Sequence, residues 1–194
     1  MQRKVIKNTA TGALKKLFSK DRITGLAIAD HGFSVIMEKS SAIEILFENL
    51  SAAKVSFFFD ALTPYRTLTL ITHAGKEYTL NIDPYSGELE DVLQHFANYQ
   101  LPGGIPENIN DIDISLLPYA KLRGGKLLVE NKGSITEYPW DELEYYRIDK
   151  PSETINLKFK NKKLFVTFSA VNVTNLWLFL QILGRHAKEQ KQYI

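Results

Sequence analysis

The stretch Gly125 to Ile148, GKLLVENKGSITEYPWDELEYYRI, decides how this chain is read. Leu127 and Val129 alternate with Leu128 and Glu130, and Asn131-Lys132-Gly133 then supplies residues that tolerate the positive φ angles of a tight turn, so two antiparallel strands are expected. Beyond the turn Ile135, Tyr138 and Trp140 bring large apolar area, Pro139 argues for an edge or a bulge, and Leu143, Tyr145 and Ile148 continue a strand rich in aromatic residues. A weaker copy of the same stretch runs from Gly32 to Phe59.

Working outward, the rest of each half fits the same programme. Gly25–Asp30, Phe33–Lys39, Ala42–Glu48, Lys54–Asp60, Arg66–Thr72 and Lys76–Ile82 read as strands, broken at Asp30-His31-Gly32, Lys39-Ser40-Ser41, Thr63-Pro64 and Ala74-Gly75. The period then changes: Leu89, Val92, Leu93 and Phe96 share one helical face behind Pro84 and Ser86, with Glu88, Glu90 and Asp91 in the first turn, where acids suit the helix dipole. In the second half Tyr119–Arg123, Lys126–Asn131, Ser134–Trp140, Glu142–Ile148, Thr154–Lys160 and Lys163–Phe168 are the candidate strands. A helix follows, with Asn172 or Thr174 as cap and Leu176, Phe179, Leu180 and Leu183 on its inner face. Trp177, Leu178 and Ile182 give it a second apolar side, which should meet either the first domain or a second subunit.

The halves match in substance. Val35-Ile36-Met37-Glu38 aligns with Leu127-Leu128-Val129-Glu130, Phe47-Glu48-Asn49-Leu50 with Trp140-Asp141-Glu142-Leu143, and Leu68 and Leu70 with Ile155 and Leu157, so a duplication is the expected explanation. The expected domains are 23–101 and 114–194, joined by a linker at 102–113 whose prolines and glycines interrupt both periodicities. Ile105, Ile109 and Ile112 suggest that this linker packs along both halves.

Composition narrows the class. The chain has 194 residues, 44% hydrophobic and 24% charged, which excludes disorder and fibres. It has no cysteine, hence no disulfide framework and no thiolate metal site. No apolar run approaches the roughly 20 residues of a membrane span, and the charged N-terminus lacks the apolar core of a leader, so a cytoplasmic protein is expected. The net charge of +2 hides an asymmetry, because residues 1–22 carry seven basic side chains against one acid. Ala10, Ala13, Leu14, Leu17 and Phe18 recur there at helical spacing. This basic segment can lie on an anionic membrane, where each cation adds about 1 kcal/mol, or pack on the neighbouring domain with its lysines in water.

Several strands followed by one amphipathic helix, with Pro139-Trp140-Asp141-Glu142-Leu143 entering a strand after a Gly-containing hairpin, resemble the pleckstrin-homology-like (PH-like) superfamily, particularly its bacterial PH-like and GRAM-like branches. The resemblance covers about 70 residues in each half. It implies an α+β, mainly β protein built from two partly open barrels of antiparallel strands, each capped by its C-terminal helix. Members have seven strands where six are legible here, so a half is expected to borrow one from a flanking segment.

No chemistry-bearing constellation emerges. His31, His73, His95 and His186 lack ligand-like spacing. Asp141, Glu142 and Glu144 read as a solvated strand edge, Gly124-Gly125-Lys126 lacks the flanks of a phosphate loop, and Asn172-Val173-Thr174 reads as a helix cap rather than a glycosylation acceptor. Neither a catalytic role nor a cofactor nor a metal is therefore expected. Two interaction readings remain. A non-catalytic scaffold would bind a protein partner or self-associate through apolar surfaces at Phe57, Phe59, Tyr145, Trp177, Leu178 and Ile182. A peripheral membrane binder would present Lys4, Lys7, Lys15 and Lys16 together with the hairpin lysines Lys158, Lys160, Lys162 and Lys163 to anionic lipid. Those hairpin lysines equally suit a solvated edge that discourages aggregation, and a nucleic-acid partner is disfavoured.

Overall fold

A computed structural model describes residues 4–8, 22–56, 66–83 and 85–190. The first half runs β1 (Val5–Lys7), β2 (Ile23–Ala29), β3 (Gly32–Met37), β4 (Ile43–Leu46), β5 (Leu50–Ser56), β6 (Arg66–Thr72), β7 (Glu77–Ile82) and α1 (Glu88–Gln100). The second runs β8 (Asp113–Leu117), β9 (Ala120–Arg123), β10 (Lys126–Asn131), β11 (Ser134–Pro139), β12 (Leu143–Asp149), β13 (Thr154–Phe159), β14 (Val166–Ser169) and α2 (Leu176–His186). The protein is mainly β, all its sheets are antiparallel, and each half ends in a helix. Four strands form one sheet and three another, in the orders β1-β2-β3-β4 with β5-β6-β7, and β8-β9-β10-β11 with β12-β13-β14. Among the described residues neither half closes into a barrel, and no ladder passes from one half to the other.

Each of the twelve expected strands has a counterpart, with the fifth lying at Leu50–Ser56 and residues 57–60 of Lys54–Asp60 outside the described residues, and two more join them. Ile6 is fully buried between exposed Val5 and Lys7, and this short strand pairs with Leu26 and its neighbours. The basic segment therefore begins as part of the first sheet, and Asn8 locks it there by donating to the Ile23 carbonyl and accepting from the Asn81 amide. A three-residue strand inside a run of lysines has no periodicity to reveal it. The expected helix over Ala10–Phe18 lies outside the described residues. In the second half β8 starts within the stretch read as linker, burying Ile112, Ile114 and Leu116 at every second position.

The two halves share detail beyond strand order. A single 3-10 turn joins the two sheets of each half, Phe47–Asn49 in the first and Trp140–Glu142 in the second, and each turn opens on a buried aromatic residue. Immediately afterwards both strands carry a bulge, between Leu50 and Ala52 and between Leu143 and Tyr145. Ala53 then faces Leu70 and Tyr146 faces Leu157, which preserves the alignment drawn from the sequence. The buried aromatic meets its own helix in each half: Phe47 packs on Phe96 and Tyr99, and the Trp140 indole donates to the His186 carbonyl.

Helices α1 and α2 pack on each other and join the two cores into one connected apolar cluster. Neither residue expected to cap α2 does so: Asn172 ends a 3-10 turn before it, and Thr174, with Asn175 at the N-cap position, ties the halves together. Thr174 donates through its amide to the Leu116 carbonyl and accepts from the Ala53 amide, while Asn175 donates to Ser115 and accepts from Gln100. The linker is also held: Arg185 donates to the Ile105 carbonyl, and a His186 ring nitrogen lies 2.9 Å from the Pro106 carbonyl oxygen. Among the described residues no helix is long and apolar enough to cross a membrane.

Candidate interaction surfaces

Trp177, Leu178 and Ile182 turn inward. Leu178 and Ile182 are buried, and Leu178 and Trp177 line a narrow crevice with Ala53, Leu93 and Phe96 of the first half. Of the two occupants open for this helix face, the fold places the first half on it. Tyr145 is half-buried and meets the Phe165 ring edge-on at 6.1 Å. Phe57 and Phe59 lie outside the described residues, as do Lys15 and Lys16.

The lysines fall into two separate groups. Lys4 reaches the Asp91 carboxylate on α1, and that hydrogen bond holds its ammonium pKa above the ordinary value, against the smaller opposing effect of desolvation. Lys7 ends β1 with its side chain exposed. In the second half Lys158 folds over its own hairpin, donating to the carbonyls of Lys162 and Lys163. Lys160 reaches the Asp141 carbonyl at 3.4 Å, and Lys162 lies over the Tyr138 ring. Lys160, Lys162 and Lys163 are exposed, and Leu164 beside them is 82% exposed. A turn combining cations with a bare apolar side chain has the composition of a surface that meets an amphipathic partner.

A second surface was not legible in the sequence. On the outer face of the β8–β11 sheet a groove of about 280 Å³ is lined by Leu117, Tyr119, Lys121, Leu128, Glu130 and Ile135. Tyr119 and Ile135 are 51% and 63% exposed, on a sheet whose β11 edge is unpaired among the described residues. Strand alternation alone could have marked Ile135 as outward-facing. The groove itself depends on where β8 lies, and β8 was hidden.

Among the described residues no three His, Asp or Glu side chains gather in a geometry that could hold a metal ion. The histidines remain scattered: His31 and His73 take part in backbone hydrogen bonds at turns, and His186 holds the linker.

The geometry defines a mainly β, α+β protein whose exposed features are surface patches. No family model matches the chain, and no curated protein does. Among solved structures it is similar to a chain described as "Structure of the Spt16D Pob3N heterodimer", at 12% identity and a TM-score of 0.32, over 80% of this chain and 91% of that one. A likeness that loose says nothing about what this chain binds.

Proposed function

We propose that this chain is a non-catalytic, tandem PH-like interaction module arising by duplication, with units 23–101 and 114–194, that binds a protein partner or a second copy of itself in the cytoplasm. The observation that carries the reading is the groove between Tyr119 and Ile135, where large apolar side chains stay exposed. Apolar anchors set among polar groups such as Lys121 and Glu130 are the composition of a protein-binding patch. The test compares affinity capture by the wild-type chain with capture by a Tyr119→Asp, Ile135→Asp double variant of unchanged circular dichroism, alongside mass measured by light scattering. A partner or dimer lost in the variant supports the reading. Identical capture by both proteins, with both monomeric at high concentration, removes it.

A second reading rests on the hairpin: the exposed Leu164 beside Lys162 and Lys163 suits an anionic lipid surface, with Lys4 and Lys7 beside the first sheet as auxiliary contacts. Flotation with anionic vesicles that is insensitive to salt, or that survives Leu164→Asp together with neutralised hairpin lysines, counts against it.

A further inference from the structure

Arg147 is a cation without an acceptor. It projects from the middle of β12 on the same face as Tyr145, its guanidinium lies 5.2 Å from the centre of the Phe165 ring, and its Nε is buried with no hydrogen-bond partner. Buried polar atoms are almost always paired, so a buried, unpaired guanidinium nitrogen needs a reason. The neighbours do not supply a partner. Asn156, directly opposite on β13, is committed to Thr154 and Thr167 through its own amide group. Asp149 is two residues along the same strand face and forms no ion pair with Arg147.

A second cation shares the same ring. Lys158 Nζ lies 5.7 Å from the Phe165 centroid, and Tyr145 braces that ring from the side. Lys158 uses two of its donors on the carbonyls of the following turn, which fixes its position and leaves a third N–H free. A guanidinium laid over an aromatic ring keeps its N–H edge in plane, where two donors can meet one oxyanion. The first half has no such arrangement: the positions equivalent to Arg147, Lys158 and Phe165 in the strand register are Lys54, Ile71 and Glu77.

We propose that Arg147 and Lys158, held around Phe165 on the outer face of the β12–β13–β14 sheet, form a binding site for a phosphate group. Two cations around one ring, neither of them in an ion pair with a described residue, match the charge of a phosphate monoester, about −1.5 to −2 at neutral pH, better than that of a single carboxylate. Phosphate free in solution and phosphate carried on a lipid headgroup share this chemistry. The site is independent of the protein-binding groove, and its failure would leave that reading intact.

The test follows the backbone amide resonances around Phe165, present in wild type and in every variant, during titration of the full chain with inorganic phosphate, and measures pelleting with phosphatidic acid vesicles against phosphatidylcholine vesicles. A saturable shift is expected, weakened about tenfold or more by Arg147→Gln, as loss of a charge-assisted hydrogen bond implies. Lys158→Gln should weaken it too, and Lys54→Gln should not. Pelleting that depends on Arg147 identifies the headgroup as the source, whereas a phosphate shift without pelleting identifies the free ion. Absence of both responses, or equal responses from wild type and both second-half variants, overturns the proposal. Unchanged thermal unfolding of the variants keeps either result interpretable.

Discussion

The indole Nε1 of Trp177 donates to Gln94 Oε1 across the two helices at 2.8 Å, and the Gln181 amide donates to the same oxygen at 2.7 Å. One side-chain carbonyl on α1 thus answers two donors on α2. Gln94→Leu removes the shared acceptor of both hydrogen bonds in a half-buried seam, and each lost bond costs about 1 kcal/mol. Urea unfolding should show a loss of about 1–2 kcal/mol. A midpoint equal to wild type would show that solvent replaces the contact.

Leu178 is buried where the two halves meet, so its truncation opens a cavity common to both. Leu178→Ala should cost about 2–5 kcal/mol. Because the apolar residues form one connected cluster, amide exchange should accelerate in β2 and β3 as well as in β12 and β13. Acceleration confined to the second half would mean that the halves open separately.

Gly32 marks a close approach. A Cβ placed there would stand 2.1 Å from the Ile45 carbonyl oxygen of the paired strand, whereas one at Gly103 meets nothing within 4 Å. Gly32→Ala should lower stability by about 1–3 kcal/mol through overpacking of backbone against backbone. Gly103→Ala should stay within about 0.5 kcal/mol of wild type. Thermal unfolding of the pair measures the contrast.

Stability should fall at alkaline pH. Burial raises the Tyr146 hydroxyl pKa and the charge of Glu189 adds to it, while the Asp91 hydrogen bond raises that of Lys4. In both groups the folded state holds its proton more tightly than the unfolded chain. Their contribution is complete below about pH 10 and is lost as pH climbs through the folded values. The urea midpoint should decline as pH rises above about 10, and Tyr146→Phe and Lys4→Met should each flatten that decline. An unaltered slope in both variants would place the alkaline sensitivity elsewhere.

Much of the fold was legible because its signals are local. Asn131-Lys132-Gly133 announced a hairpin, and the turn between β10 and β11 places both Lys132 and Gly133 at positive φ. Leu89, Val92, Leu93 and Phe96 announced the buried face of α1. Aligning Leu68 and Leu70 with Ile155 and Leu157 predicted matching registers. The surfaces were less legible. Lysines in a hairpin can be counted, but whether they reach outward or fold onto their own carbonyls, as Lys158 does, depends on acceptors brought close by the turn.

The amino-acid sequence by itself determined the periods: where alternation of two gives strands, where a spacing of three and four gives helices, and that the pattern occurs twice. Tertiary structure alone decided the partners: that Val5–Lys7 is a strand, that Thr174 binds β8 and β5 instead of capping α2, that the Asn175 side chain bridges β8 and α1, and that Trp177 and Leu178 meet the first half. The physical reason is range. Periodicity follows from backbone geometry over a few residues, whereas a donor's acceptor or an apolar face's cover is chosen among surfaces distant in sequence, and only the folded chain brings them together.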